Sequence, residues 1–134
     1  MKIQTLLLVA IMAVTLNSCN KDYASDWVGT YTGTAGSNVN RIVVSKVDNN
    51  TIKMELQTTG LFTGYVTFAT VAKGGVNKSS DVAINEDGSI AGFTDVYHFT
   101  GAGSLSGATL TLNGQAQSKT NSSDIKYYSF TGSR

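Results

Sequence analysis

Residues 51–58 show the clearest alternation of apolar and polar side chains in the chain. Ile52, Met54 and Leu56 occupy every second position, and the side chains between them are polar. Successive side chains of a strand point to opposite faces, so this period of two predicts a β-strand with one buried face and one wet face. Lys53 and Glu55 fall on the wet face.

Further runs of Val, Ile, Thr, Tyr and Phe recur along the chain, separated by short clusters of Gly, Asn, Asp and Ser. Such residues favour strands and turns respectively. The predicted strands are residues 26–34, 41–47, 51–58, 61–71, 81–85, 89–92, 95–105, 108–112 and 124–132. Because residues 89–92 either stand alone or continue into the next strand, the pattern predicts eight or nine strands.

Three segments of this pattern need a separate interpretation: residues 86–88, residues 113–114 and residues 61–71. Glu86-Asp87-Gly88 has the composition of a hairpin turn. Asn113-Gly114 is either a further turn or part of a strand that continues to residue 118. In residues 61–71, the predicted inward face carries Phe62, Val66 and Phe68, with Gly64 as a bend or bulge.

The connections between the predicted strands are of hairpin length, and no segment after residue 20 has helical composition. We therefore expect an all-β fold, an antiparallel up-and-down barrel of about eight strands in the manner of lipocalins. Closure removes exposed strand edges, which a chain without proline would otherwise leave unprotected. A two-sheet β-sandwich is the alternative. Trp27, on the first predicted strand, is expected to plug the core.

An eight-stranded barrel either fills its interior with side chains or holds one small ligand there. The predicted inward residues are apolar, so they are the candidate ligand-binding residues for a small apolar molecule. These are Ile52, Met54, Leu56, Phe62, Val66 and Phe68. The same residues also suit a filled core, which the length of the chain favours.

The N-terminal residues have the composition of an export signal. Lys2 precedes an apolar run at residues 6–14, which is too short to span a membrane. Residues 16–19, Leu-Asn-Ser-Cys, resemble the bacterial lipobox and contain the only cysteine. The resemblance implies that residues 1–18 are removed and that Cys19 is acylated. The expected organisation is then a lipidated cysteine with a short polar tether at 19–25 and one β-barrel domain at 26–134.

Three short motifs carry a second resemblance. They are W-V-G-T-Y-T-G-T from residue 27, G-S-L-S-G-A-T-L-T-L from residue 103 and Y-S-F-T-G from residue 128. Together they resemble the calycin-like β-barrel lipoproteins of Bacteroidetes. The resemblance implies a small barrel whose first and last strands meet, anchored by lipid in the outer membrane on its periplasmic face or at the cell surface.

Composition and charge narrow the function further. The chain has ten Lys and Arg, one of which is Lys2, against nine Asp and Glu, so the chain without its signal is neutral. With no basic run, we expect no nucleic-acid partner. One histidine, His98, and one cysteine offer no metal-ligand spacing. We expect His98 to be a strand residue that faces water or bonds a neighbour, and neighbouring Asp95 is no indication of a catalytic pair. We therefore expect no enzyme and no cofactor.

Two functions remain open for a monomeric, lipid-anchored barrel. The first is a binding module with a small apolar ligand in the barrel. The second is an interaction module, such as an inhibitor or an accessory subunit of an envelope complex. In that case the barrel is filled, and Tyr65, Tyr97 and Tyr127 form an exposed aromatic contact patch.

Overall fold

The computed structural model describes residues 21–58, 64–73 and 80–134. A 3₁₀ helix, Ser25–Trp27, precedes eight strands. They are β1 (Gly29–Gly33), β2 (Arg41–Lys46), β3 (Thr51–Gln57), β4 (Tyr65–Lys73), β5 (Ser80–Ile90), β6 (Val96–Ser106), β7 (Thr109–Ser118) and β8 (Ile125–Ser133). The predicted signal at 1–18, Cys19 and Phe62 lie outside the described residues. In the part of the chain that is described, no helix has the length and apolar character needed to cross a membrane.

Each strand pairs antiparallel with the next, and β1 closes the barrel by pairing with β8. This last pairing is short and joins Thr32 to Ser133 and Gly33 to Gly132. The prediction of an all-β, antiparallel up-and-down barrel of eight strands is confirmed. The two-sheet sandwich is excluded, because a single sheet closes on itself.

The alternation predicted in β3 is present. The side chains of Ile52, Met54 and Leu56 are fully buried, and the residues between them are half-buried. Leu56 lies opposite Ile42 and Met54 opposite Val44 on β2, so the buried face of β3 continues across the sheet. These residues form part of the core rather than a lined cavity.

Aromatic rings meet across the inside of the barrel. The ring centroid of Phe99 on β6 lies 6.2 Å from that of Tyr65 on β4 and 6.2 Å from that of Tyr128 on β8. These three strands are not neighbours in the sheet, so the rings touch across the lumen rather than along the wall. All three side chains are buried. The interior at this level is therefore filled by aromatic packing.

The 3₁₀ helix closes the barrel at the end where β1 begins. Trp27 is fully buried, as predicted for a core plug, and its carbonyl oxygen accepts a hydrogen bond from the Tyr31 hydroxyl at 2.8 Å. The guanidinium of Arg134 donates to the Val28 carbonyl at 2.9 Å and lies 5.5 Å from the Tyr31 ring. The last residue, Arg134, thus packs against the start of β1 at this closed end.

The folded part begins before residue 26, where the sequence predicted its boundary. The amides of Tyr23 and Ala24 donate to the Asn49 carbonyl at 2.9 and 3.0 Å, and Ala24 is fully buried. An ion pair of 2.5 Å joins Asp22 to Lys46, and the hydrogen bond from Lys46 lowers the pKa of Asp22 to about 2. Residues 22–24, which the sequence placed in the tether at 19–25, therefore pack against the barrel.

The predicted inward face of β4 is wrong. Phe68 is 40% exposed and Val66 is half-buried, whereas Tyr65, Ala69 and Val71 point into the core. The cause is the sequence itself, because both faces of this strand carry apolar residues and the alternation does not fix its phase. A shift of one residue moves every side chain of a strand to the opposite face.

The hairpin predicted at residues 86–88 is also wrong, because β5 runs unbroken from Ser80 to Ile90. Its pairing with β4 shifts register between Val66 and Thr70, where β5 contains two extra residues. Gly88 lies in this bulge. A Cβ there would meet the Val66 carbonyl at 2.2 Å and the Phe99 ring at 2.8 Å. The glycine therefore permits a close approach between strands, not a chain reversal.

Asn113-Gly114 lies inside β7 and is not a turn, which decides between the two alternatives for this segment. A Cβ on Gly114 would meet the Thr100 carbonyl oxygen at 2.3 Å and the Tyr128 hydroxyl at 2.3 Å. The missing side chain makes room for Tyr128, which lies against the strand from inside and donates to the Thr100 carbonyl at 3.0 Å.

Candidate functional site

The six predicted ligand-binding residues do not come together. Ile52, Met54 and Leu56 line the interior, where they are fully buried in the core. Val66 and Phe68 belong to the outer face of β4, with Phe68 directly opposite Lys53 on β3. Phe62 lies outside the described residues.

A depression lies instead on the outer wall formed by β6, β7 and β8. It has a volume of about 560 Å³ and is open to solvent. We call it the wall groove. Its lining consists of Asn38, Thr100, Gly101, Asn113, Gly114, Gln115, Tyr127, Tyr128 and Ser129.

The strand register explains why these residues meet. Thr100 on β6 pairs with Gln115 on β7, which pairs with Tyr127 on β8, so the three side chains form one row across the outer wall. Asn113 and Ser129 form the adjacent row. Strands lie about 4.8 Å apart, and side chains two residues apart on one strand lie about 6.8 Å apart. The groove is thus a small lattice of outward side chains.

None of the nine residues that line the wall groove is acidic, basic or histidine. Within residues 21–58, 64–73 and 80–134, four of its polar groups have no hydrogen-bond partner. They are the amides of Asn113 and Gln115 and the hydroxyls of Thr100 and Tyr127. Tyr127 is 67% exposed. The groove therefore offers one open aromatic ring and several neutral donors and acceptors.

The floor of the groove is rigid because Tyr128 supports it from inside. The Tyr128 side chain is buried beneath Gly101 and Gly114, and its hydroxyl would be 2.5 Å from a Cβ on Gly101. Burial raises the pKa of Tyr128 well above the usual value for tyrosine, so its hydroxyl stays protonated and continues to donate to Thr100.

The edge of β8 that β1 does not reach is covered by the loop at residues 34–40. Asn38 bonds the main chain of Tyr127 and Ser129, and the Ser37 hydroxyl accepts a hydrogen bond from the Thr131 amide at 2.9 Å. A second depression of about 360 Å³ follows this loop and shares Asn113 and Ser129 with the wall groove. The two depressions therefore adjoin each other.

A charged cluster lies elsewhere on the outer wall, across β5 and β6. His98 bonds the Asp87 carboxylate through Nδ1 at 2.9 Å and the Asn85 amide oxygen through Nε2 at 3.1 Å. Lys119 donates to the same carboxylate at 2.5 Å, and hydrogen bonds from Lys119 and His98 hold the pKa of Asp87 below its usual range. His98 thus bonds its neighbours on the surface, as predicted.

Asp95 does not contact His98. Its carboxylate accepts hydrogen bonds from the hydroxyls of Ser118 and Thr120, and these bonds lower its pKa. Among the residues that the structure describes, no serine hydroxyl bonds His98, and no group of three or more His, Cys, Asp or Glu side chains is placed to hold a metal.

A third cluster surrounds Tyr97 near the end of the barrel opposite to Trp27. The Tyr97 hydroxyl donates to Asp124 at 2.6 Å, and the Lys126 ammonium lies 2.5 Å from the same carboxylate and 4.8 Å from the Phe93 ring. Burial and the bond to Asp124 raise the pKa of Tyr97 to about 12. Tyr97 and Tyr65 are buried, so the predicted patch of three exposed aromatic residues is wrong for all but Tyr127.

Comparison of the chain with models of protein families, with curated proteins and with solved structures found no match. The site must therefore be interpreted from its own geometry. The wall groove is not apparent from the sequence pattern, because its residues come from three strands and a loop. The available signal was the alternation of 124–132, which places Tyr127 and Ser129 at successive outward positions.

Proposed function

We propose that this chain is a non-catalytic, lipid-anchored β-barrel of the outer membrane that binds its ligand on the outer wall of β6–β8. The observation that carries this proposal is the filled lumen. Phe99 packs against Tyr65 and Tyr128 across it, and Ile52, Met54 and Leu56 are fully buried in the same core. A ligand inside the barrel would have to displace this packing, at a cost of several kcal/mol.

The wall groove is the best alternative location. It is of the size that small ligands occupy in proteins, about 300–1,000 Å³, and the side chains of Thr100, Asn113, Gln115 and Tyr127 bond no other described residue. Its backbone is fixed by complete strand pairing on β6 and β7. A rigid surface with unpaired donors and acceptors binds with little loss of entropy.

The lipid anchor is proposed from the sequence at residues 16–19, and the position of the N-terminal segment supports it. Residues Tyr23 and Ala24 dock against Asn49 at the closed end of the barrel. An anchor at Cys19 would hold this end near the membrane. The loops at 34–40, 91–95 and 119–124 would then point away from it.

The non-catalytic part of the proposal rests on how the titratable groups are used. His98, Asp87 and Lys119 bond one another on an exposed surface, and Asp95 bonds Ser118 and Thr120. None of these groups lines the wall groove. Three sequence motifs resemble those of calycin-like lipoproteins of Bacteroidetes. This resemblance is consistent with a non-catalytic module.

The proposal is tested by photo-crosslinking in intact cells that express the full chain. A photo-crosslinking amino acid replaces Gln115 in the groove or, as the matched control, Lys53 on the outer face of β3. Both positions are half-buried and point outward from central parts of their strands. We expect an adduct from position 115 that position 53 does not give, and its absence would refute binding at the groove.

Two further readouts separate the alternatives. A protease-sensitive adduct at position 115 would favour the interaction module, whose filled barrel the structure also supports. Cys19→Ala should move the chain from the membrane fraction to the soluble fraction, and unchanged membrane association would refute the anchor.

A further inference from the structure

We propose that the wall groove binds a neutral carbohydrate chain, with the Tyr127 ring as the surface on which one sugar stacks. The amides of Asn113 and Gln115 and the Thr100 hydroxyl bond the sugar hydroxyls. This inference rests on the proposed function, since it names the ligand class of the same groove.

The first step is the charge of the groove. Sites for phosphate, sulfate or carboxylate groups use Arg or Lys, whose charged hydrogen bonds compensate for the lost hydration of the anion. Cationic ligands need carboxylates for the same reason. The wall groove contains neither, although the chain carries ten Lys and Arg and nine Asp and Glu elsewhere. Its ligand is therefore uncharged.

The second step is the unpaired polar groups. A side-chain amide carries two donors and one acceptor oxygen, and a hydroxyl is both donor and acceptor. An apolar ligand would cover the amides of Asn113 and Gln115 without replacing their bonds to water, and this loss disfavours its binding. A ligand with many hydroxyls satisfies donors and acceptors together.

The third step is the exposed ring. Tyr127 is 67% exposed and stands beside Gln115 in the same row of the wall. Aromatic rings present an apolar face with a negative quadrupole, and Tyr adds a polar tip. A sugar ring has the complementary form, because one face carries C–H groups and its rim carries hydroxyls. The row spacing of about 4.8 Å places an amide at the rim of a sugar that stacks on Tyr127.

Two adjoining depressions on the wall indicate a chain rather than one sugar. Asn113 and Ser129 line both the wall groove and the second depression. That depression is lined by Thr34, Ser37, Thr131 and other uncharged residues. The polar, uncharged character is thus maintained along the wall, as binding of consecutive neutral sugars requires.

An extended peptide fits this wall poorly. Peptides bind sheets by adding a strand to a free edge. Here β6 pairs with β5 and β7, and β7 pairs with β8. The remaining edge of β8 is occupied by Asn38, Ser37 and Thr34. No main-chain edge is therefore open within the groove.

The test measures binding of the full chain in detergent to immobilised tetrasaccharides by biolayer interferometry. The neutral probes are maltotetraose, cellotetraose and mannotetraose, and tetragalacturonate is the anionic counterpart. Tyr127→Ala should weaken binding to at least one neutral probe by tenfold or more, and the double variant with Asn113→Ala and Gln115→Ala should do the same. Tyr127→Phe should retain most of the affinity, because it keeps the ring.

Phe68→Ala is the matched aromatic control, since Phe68 is an exposed ring on the outer face of β4. It should bind as the unchanged chain does. Denaturation midpoints of all variants identify any that fail to fold. Binding to tetragalacturonate alone, no binding to any neutral probe, or binding that survives both groove variants would overturn the carbohydrate proposal. A crosslinked adduct at position 115 in that case would still support binding at the groove by a ligand of another class.

Discussion

Asn38 bonds the main chain of Ser129 as a neighbouring strand would. Its side-chain oxygen accepts a hydrogen bond from the Ser129 amide at 2.6 Å, and its Nδ2 donates to the Tyr127 carbonyl at 2.9 Å. The side chain therefore satisfies an amide and a carbonyl on either side of Tyr128, where β1 has already ended. The barrel is closed partly by strand pairing and partly by this amide.

We expect Asn38→Ala to lower the free energy of unfolding by about 1–2 kcal/mol, because it removes the two hydrogen bonds that its side chain makes to the Ser129 amide and the Tyr127 carbonyl at a strand edge that is partly open to water. Urea denaturation at neutral pH measures the change. Asn40→Ala is the matched control, since Asn40 lies in the same loop and bonds the strands through its main chain only. Equal midpoints for the two variants would show that the seam does not depend on Asn38.

Gly114 tests the support beneath the wall groove. A Cβ at this position meets the Thr100 carbonyl and the Tyr128 hydroxyl at 2.3 Å, and the carbonyl belongs to a paired strand that cannot move away easily. We expect Gly114→Ala to destabilise the fold by about 1–3 kcal/mol through overpacking. Gly64→Ala is the control, because its nearest contact would be an ordinary 3.7 Å. Thermal unfolding of both variants compares them, and similar midpoints would contradict the close packing described here.

The sequence predicted the barrel because most strands have one apolar and one polar face. For β3 the alternation of Ile52, Met54 and Leu56 left only one phase, and the structure confirms it. For β4 the apolar residues Val66 and Phe68 alternate with Tyr65 and Ala69, so either phase was consistent with the sequence. The phase is set by pairing with β3, which places Phe68 opposite Lys53. Such pairing is not visible in a single segment.

Turn-like composition does not indicate a turn where a glycine allows close packing inside a strand. Gly88 and Gly114 both follow residues typical of turns, yet both lie inside strands that pass close to an aromatic ring or a carbonyl. The wall groove could not be predicted for a related reason. Its rows require the register of β6, β7 and β8, and its border requires the loop at 34–40 to fold against β8. These are long-range relationships that periodicity does not encode.

The phase of β4 has a direct chemical test. In a chain whose own cysteine is replaced by Cys19→Ser, we expect Phe68→Cys to react with a maleimide in the folded state. Thr67→Cys should react only after denaturation, because Thr67 is fully buried. The ratio of labelling in native buffer to labelling in urea measures protection. Rapid maleimide labelling of the folded chain at position 67, together with protection at position 68, would support the inward face of β4 that the sequence predicted.

The Tyr97 hydroxyl should make the fold sensitive to alkaline pH. Its pKa is raised from about 10 to about 12, mainly by burial and then by the hydrogen bond to Asp124. The folded state therefore holds this proton more tightly than the unfolded state does. The resulting stabilisation is fully present below pH 10 and is lost as the pH rises from about 10 to about 12.

We expect the urea midpoint of the unchanged chain to fall over this interval. The midpoint of Tyr97→Phe should fall less steeply, because residue 97 then has no hydroxyl proton to lose. Burial also raises the pKa of Tyr31, Tyr65 and Tyr128, so part of the decline should remain in the variant. Identical slopes for the two proteins would show that Tyr97 does not contribute, and that the Asp124 bond has no part in alkaline unfolding.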